Sequence, residues 1–87
     1  MNYTVLITGT NRGLGLEFVE QYSQLGWKVL ACCRDKDNAN KLLNLQEKFS
    51  SIEILQLDVS NLDEINTLSN TLNDRSIDVL INNAGIY

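Results

Sequence analysis

With 87 residues, the chain has room for one domain and no more, and its 44% apolar content is that of a globular chain rather than a disordered one. A net charge of −4, with seven basic residues scattered along the chain, argues against nucleic-acid binding through phosphates. Apolar runs of about six residues are too short to span a bilayer, and nothing at the start has the form of a secretory signal.

Residues 3–8 are apolar and β-branched and read as a buried strand. A helix is expected over 14–25, with Leu14, Phe18, Val19, Tyr22 and Leu25 on one face, and Gly26 stands where helices end. Residues 27–33 form a second strand. A second helix over 40–49 aligns Leu42, Leu45 and Phe49, with Asp37 or Asn38 as its cap. The third strand is 52–57. Ser60 is then expected to cap a third helix, with Asp63 at the capping-box position and Leu62, Ile65, Leu68 and Leu72 as its apolar stripe. Residues 77–82 complete the alternation as a fourth strand.

Strands alternating with helices imply an α/β fold with a parallel sheet and helices on both faces. Right-handed crossovers make 3-2-1-4 the expected strand order, that of a partial or truncated Rossmann domain spanning 1–87. The adjacent cysteines, Cys32 and Cys33, point to opposite faces of their strand and are badly placed to bond each other. They read as buried, reduced thiols, which suits a cytoplasmic protein. With no histidine and no CxxC pair, neither a zinc site nor a histidine-based triad is expected.

Three of the five glycines, Gly9, Gly13 and Gly15, fall between the first strand and the first helix. A glycine turn that opens a helix makes an anion site, because the helix N-terminus offers unpaired N–H groups and partial positive charge. Gly9 would let the chain turn after Thr8. Gly13 and Gly15 would remove side chains where a pyrophosphate and the neighbouring strand come close. The spacing is G-x-x-x-G-x-G rather than G-x-G-x-x-G, and on the glycines alone a tight turn without a ligand stays open.

Two further motifs narrow the reading. The run TGTNRGLG, from Thr8 to Gly15, resembles the TGxxxGxG cofactor motif of the short-chain dehydrogenase/reductase family. Leu-Asp-Val-Ser at 57–60 and Asn-Asn-Ala-Gly at 82–85 resemble the motifs that close that family's third and fourth strands. Within the family the run LITGTNRGLGLEFV looks most like the branch of C-factor-type signalling proteins and related carbonyl reductases. The resemblance implies that the backbone of Thr10, Asn11, Arg12, Gly13 and Leu14 holds a pyrophosphate. It implies that Asp58 accepts from the adenine amino group, with the Val59 backbone beside it. Asn83, Ala84 and Gly85 would line the ribose, and Asn82 or Asn83 would tie the fourth strand to its neighbours.

At the end of the second strand, an acid would hold a ribose 2′-hydroxyl, whereas an arginine accommodates a 2′-phosphate. By the family pattern Cys33 stands at the acid's position and Arg34 follows, with Arg12 a second cation. NADP(H) is therefore favoured over NAD(H). Asp35, about 20 residues after Gly15, is the alternative acid; it could equally start the following turn or pair with Arg34.

The family's chemistry uses a serine and a Tyr-x-x-x-Lys whose tyrosine is the general acid/base. Here Ile7 follows Tyr3 by four positions, Gly26 follows Tyr22, and Tyr87 is last. The expectation is the N-terminal part of an NADP(H)-dependent oxidoreductase acting between a carbonyl and an alcohol, inactive alone, with no catalytic residue of its own. The alternative is a nucleotide-binding or signalling module. The apolar fourth strand, left at an edge, predicts self-association.

Overall fold

The structure is a computed structural model and describes residues 3–83. In chain order it contains β1 (Thr4–Thr8), α1 (Gly13–Gln24), β2 (Lys28–Cys33), a 3-10 turn (Lys36–Asn38), α2 (Asn40–Lys48), β3 (Ile52–Gln56), α3 (Leu62–Thr71) and β4 (Val79–Ile81). The strands form one parallel sheet in the order β3-β2-β1-β4, the order expected from right-handed crossovers.

Strand alternation divides the core in two. Val5, Ile7, Val29, Ala31, Cys33 and Ile52 pack with Val19 of α1 and Leu42 of α2 on one face. Leu6, Leu30, Cys32 and Leu57 pack with Leu68 and Leu72 of α3 on the other. Cys32 and Cys33 thus face opposite ways and are unpaired. Burial pushes the Cys32 thiol up to about 12 and raises that of Cys33 as well, so both are protonated, small hydrophobic side chains near neutral pH.

Two apolar stripes are narrower than the sequence implies. Leu14 and Leu25 are 61% and 71% exposed. The face of α1 that reaches the sheet carries Gly15, Val19 and Ser23, and both leucines lie about a third of a turn or more away from Val19. In α3, Leu62 and Ile65 are also exposed; only the C-terminal half of the stripe, Leu68 and Leu72, meets the sheet.

Helix ends follow local hydrogen bonding. Gly26, at φ +85°, closes α1 with Gly26 N–H on the Ser23 carbonyl and Trp27 N–H on that of Tyr22, at 3.0 and 3.1 Å, a Schellman ending. The cap of α2 is Ala39, with no side-chain bond, rather than Asp37 or Asn38. Those residues belong to the preceding 3-10 turn, where Asn38 donates to the Asp35 carboxylate at 2.8 Å. The cap of α3 is Asn61, not Ser60: Asn61 accepts from Glu64 N–H at 3.2 Å, while the Ser60 hydroxyl is taken by Asp58 at 2.6 Å.

Candidate nucleotide site

The loops after β1, β2, β3 and β4 gather at the carboxyl ends of the strands. Between β1 and β4 the strand order reverses, which is where open parallel sheets place ligands. The loop after β1 starts at Thr8, buried and opposite Cys32 in the register. Thr10 is fully buried, and both its N–H and its hydroxyl are spent on the Cys32 carbonyl, at 3.1 and 3.0 Å. It therefore shapes the loop and has no N–H left for an anion, unlike the expectation that its backbone holds a phosphate.

Gly13 and Gly15 do different jobs. Gly13 has φ +60° with nothing within 4 Å of where a Cβ would stand: it is needed for its left-handed backbone and leaves open space. At Gly15 a Cβ would lie 2.1 Å from the Gly9 carbonyl oxygen and 2.8 Å from Asn83 Nδ2, so this glycine lets α1 pack against the turn. Arg12 caps α1 in an extended conformation, with no side-chain bond to the first turn and no acidic residue in it. The contrast with α3 is direct, because there Asn61 caps the helix and Asp63 and Glu64 fill the first turn. The start of α1 thus carries neither a side-chain cap nor an acidic residue against its partial positive charge.

Both asparagines tie β4 to the glycine turn, where the sequence left the choice open. Thr8 Oγ1 donates to Asn82 Oδ1 at 3.1 Å and accepts from Asn83 N–H at 3.0 Å. Asn83 Nδ2 donates to the Gly9 carbonyl at 3.2 Å. Ala84 and Gly85, expected beside a ribose, lie outside the described residues.

Across the sheet stands Asp58. Its Oδ1 accepts from Ser60 N–H at 3.0 Å and from the Ser60 hydroxyl; its Oδ2 is 3.8 Å from Arg34 Nε. The Ser60 bonds first, and then the Arg34 charge, hold the Asp58 carboxyl below its ordinary value, so it is an ionised acceptor at neutral pH. Val59 follows it and is exposed. Asp35, the alternative acid, begins the next turn by accepting from Asn38.

The sequence reading missed two positioning side chains. Glu64 Oε1 accepts from Asp58 N–H at 2.8 Å; the Asn61-x-x-Glu64 spacing is the signal that could have found it. Gln56 bonds the backbone around Arg34 across about 20 residues of sequence, and no local pattern announces such a contact. Tyr3 and Tyr22 pack on Trp27, with ring centroids 5.0 and 4.9 Å apart, beside the starts of β1 and β2 and away from this site.

A family model described as short chain dehydrogenase matches residues 3–87. A short chain dehydrogenase of Penicillium aethiopicum is 43% identical over 91 residues, covering 99% of this chain and 36% of the relative. An uncharacterized oxidoreductase of Staphylococcus saprophyticus is 42% identical over 86 residues, covering 94% and 34%. A carbonyl reductase from Pseudomonas aeruginosa, solved in complex with NADP, superposes with a TM-score of 0.89 at 34% identity, covering 98% of this chain and 39% of that one. The chain thus spans little more than a third of the length of these proteins. By its glycine turn, its sheet order and its match along the whole described chain, the protein belongs to the short-chain dehydrogenase/reductase family.

Proposed function

We propose that this chain forms the cofactor-holding portion of a cytoplasmic short-chain oxidoreductase that takes NADP(H) in preference to NAD(H). The observation that carries the reading is the pairing of two anion-receptive features at one end of the sheet. One is the uncapped start of α1, with open space at Gly13; the other is the exposed Arg34 at the exit of β2. The loop N–H groups of Asn11, Arg12, Gly13 and Leu14 would hold the pyrophosphate. Arg34, with Arg12 as second cation, would take the 2′-phosphate through charge-assisted bonds. Asp58 would accept from the adenine amino group beside the Val59 backbone, and Asn83, Ala84 and Gly85 would line the ribose.

When bound, NADP(H) supplies or accepts a hydride; in the whole enzyme the exchange would be with a carbonyl or alcohol carbon. The chain's own residues bind and orient the dinucleotide, and none is assigned a proton-transfer role. The NADP complex of the similar carbonyl reductase supports this choice of cofactor. Self-association through the open side of β4 belongs to the same proposal. Titration of the protein with NADPH and with NADH tests the cofactor. NADPH should bind more tightly, and Arg34→Ala should weaken NADPH by about tenfold or more while leaving NADH nearly unchanged. Equal affinity for the two dinucleotides would overturn the preference.

A further inference from the structure

Arg34 leaves the sheet one residue past the end of β2, and its side chain is 81% exposed. A guanidinium that projects into water has many rotamers, so its aim depends on how firmly the backbone beneath it is held. That backbone is gripped from the neighbouring strand. Gln56, the last residue of β3, stands opposite Cys33 in the register. Its Nε2 donates to the Arg34 carbonyl, and its Oε1 accepts from Lys36 N–H at 3.2 Å. The strand ladder itself ends one step earlier, with Leu57 N–H on the Cys33 carbonyl at 2.7 Å. A single side-chain amide thus extends the ladder across the bend at 34–36, supplying the donor and the acceptor that the departing strand has lost. A glutamate could not donate to the carbonyl, and an aliphatic side chain could do neither.

We propose that Gln56 is a positioning residue for cofactor choice. It clamps the 34–36 bend so that Arg34 is presented toward a 2′-phosphate, with the Asp58 carboxylate, two residues beyond Gln56, 3.8 Å from Arg34 Nε. The inference rests on the NADP(H) reading above and adds to it the residue that makes Arg34 selective. Gln56 acts through the backbone of Arg34 and touches no part of the dinucleotide.

The test compares the wild-type protein, Gln56→Met and Arg34→Ala, by titration with NADPH and NADH and by amide hydrogen exchange without cofactor. Methionine keeps the length of the side chain and removes both hydrogen bonds. In Gln56→Met the ratio of NADH to NADPH dissociation constants should fall by about fivefold to tenfold, almost all of it through weaker NADPH binding. Lys36 N–H should exchange about tenfold faster, while the amides of Val29, Leu30 and Ala31 keep their protection. Unchanged exchange at Lys36 would overturn the clamp. Equal weakening of both dinucleotides would make Gln56 a merely structural residue and overturn its role in selectivity. So would a preference that survives Gln56→Met but collapses in Arg34→Ala. A preference untouched by Arg34→Ala would instead overturn the phosphate reading itself, and the role of Gln56 with it.

Discussion

Two glycines two residues apart answer to different constraints, and substitution separates them. At Gly15 an added methyl meets the Gly9 carbonyl at 2.1 Å and the Asn83 amide at 2.8 Å, and the nearest obstacle is backbone, which cannot rotate away. Gly15→Ala should therefore destabilise the fold by about 2–3 kcal/mol and push the glycine turn off the β4 end that Asn83 holds. At Gly13 the methyl meets nothing, and the penalty is the left-handed backbone alone, about 1–2 kcal/mol for alanine. Asparagine visits that conformation more readily, so Gly13→Asn should retain more stability than Gly13→Ala. Urea denaturation midpoints check the order: wild type, Gly13→Asn, Gly13→Ala, Gly15→Ala, from most to least stable. A Gly15→Ala midpoint equal to that of Gly13→Ala would mean that α1 can back away from the turn at no cost. All three glycines of this loop are plain in the sequence. Their division of labour is not, because what Gly15 avoids lies in β1's turn and, 68 positions along the chain, at Asn83.

Among the elements, strand identity and order were legible because alternating strands and helices leave few topologies, and each strand is apolar enough to declare itself. Helix faces and caps were less so. The stripe over 14–25 looked continuous, yet Leu14 and Leu25 stay in water; spacing says which residues share a face, not how far the sheet beneath that face extends. Ser60 looked like the cap of α3 until Asp58 took its hydroxyl and Asn61 supplied the cap one residue later. The ionic tie among β2, β3 and the approach to β4 was equally hidden, being assembled from distant charges. Arg75 donates to both oxygens of Glu53, at 2.8 and 3.3 Å, and Lys28 Nζ lies 3.5 Å from it. The Arg75 bonds, with Lys28 adding to them, hold the Glu53 carboxyl below its ordinary value. A depressed carboxyl stabilises the fold above its unfolded value, near about pH 4.3, and that support is lost as pH falls through the lower folded value. Glu53→Gln should thus lower stability at neutral pH by less than about 1 kcal/mol, since the site is one-third exposed. The gap between wild type and variant should close on acidification, as followed by thermal unfolding at several pH values; a gap that widens toward acid pH would contradict the sign.

At the scale of the whole molecule the sheet has two unequal edges. The β3 edge carries Glu53 with its two cations and Gln56 with its backbone bonds, the kind of charged and occupied margin that discourages pairing. Among the described residues the β4 edge has no such guard. Leu80 pairs with Leu6 in the register and so shares the face covered by α3, yet it is 66% exposed, and Ile77 just before the strand is also exposed. Parallel strands are stable where both faces are covered, and among the described residues no helix covers β4 on that side. Association of two copies along this edge would bury Leu80 and Ile77 and pair the free backbone groups of β4. The net charge of −4 on each copy opposes it, so screening by salt should favour it. Light scattering at micromolar concentration should give a mass above 9.8 kDa, rising with protein and salt concentration. Leu80→Lys should return it to the monomer mass, and at concentrations low enough to dissociate the wild type the two should differ in stability by no more than about 0.5 kcal/mol, the size expected for an exposed position. A wild-type protein that stays monomeric throughout that range would show that the three residues of β4, though held to β1 by the two Asp78–Thr4 bonds, present too short an open edge to recruit a second chain.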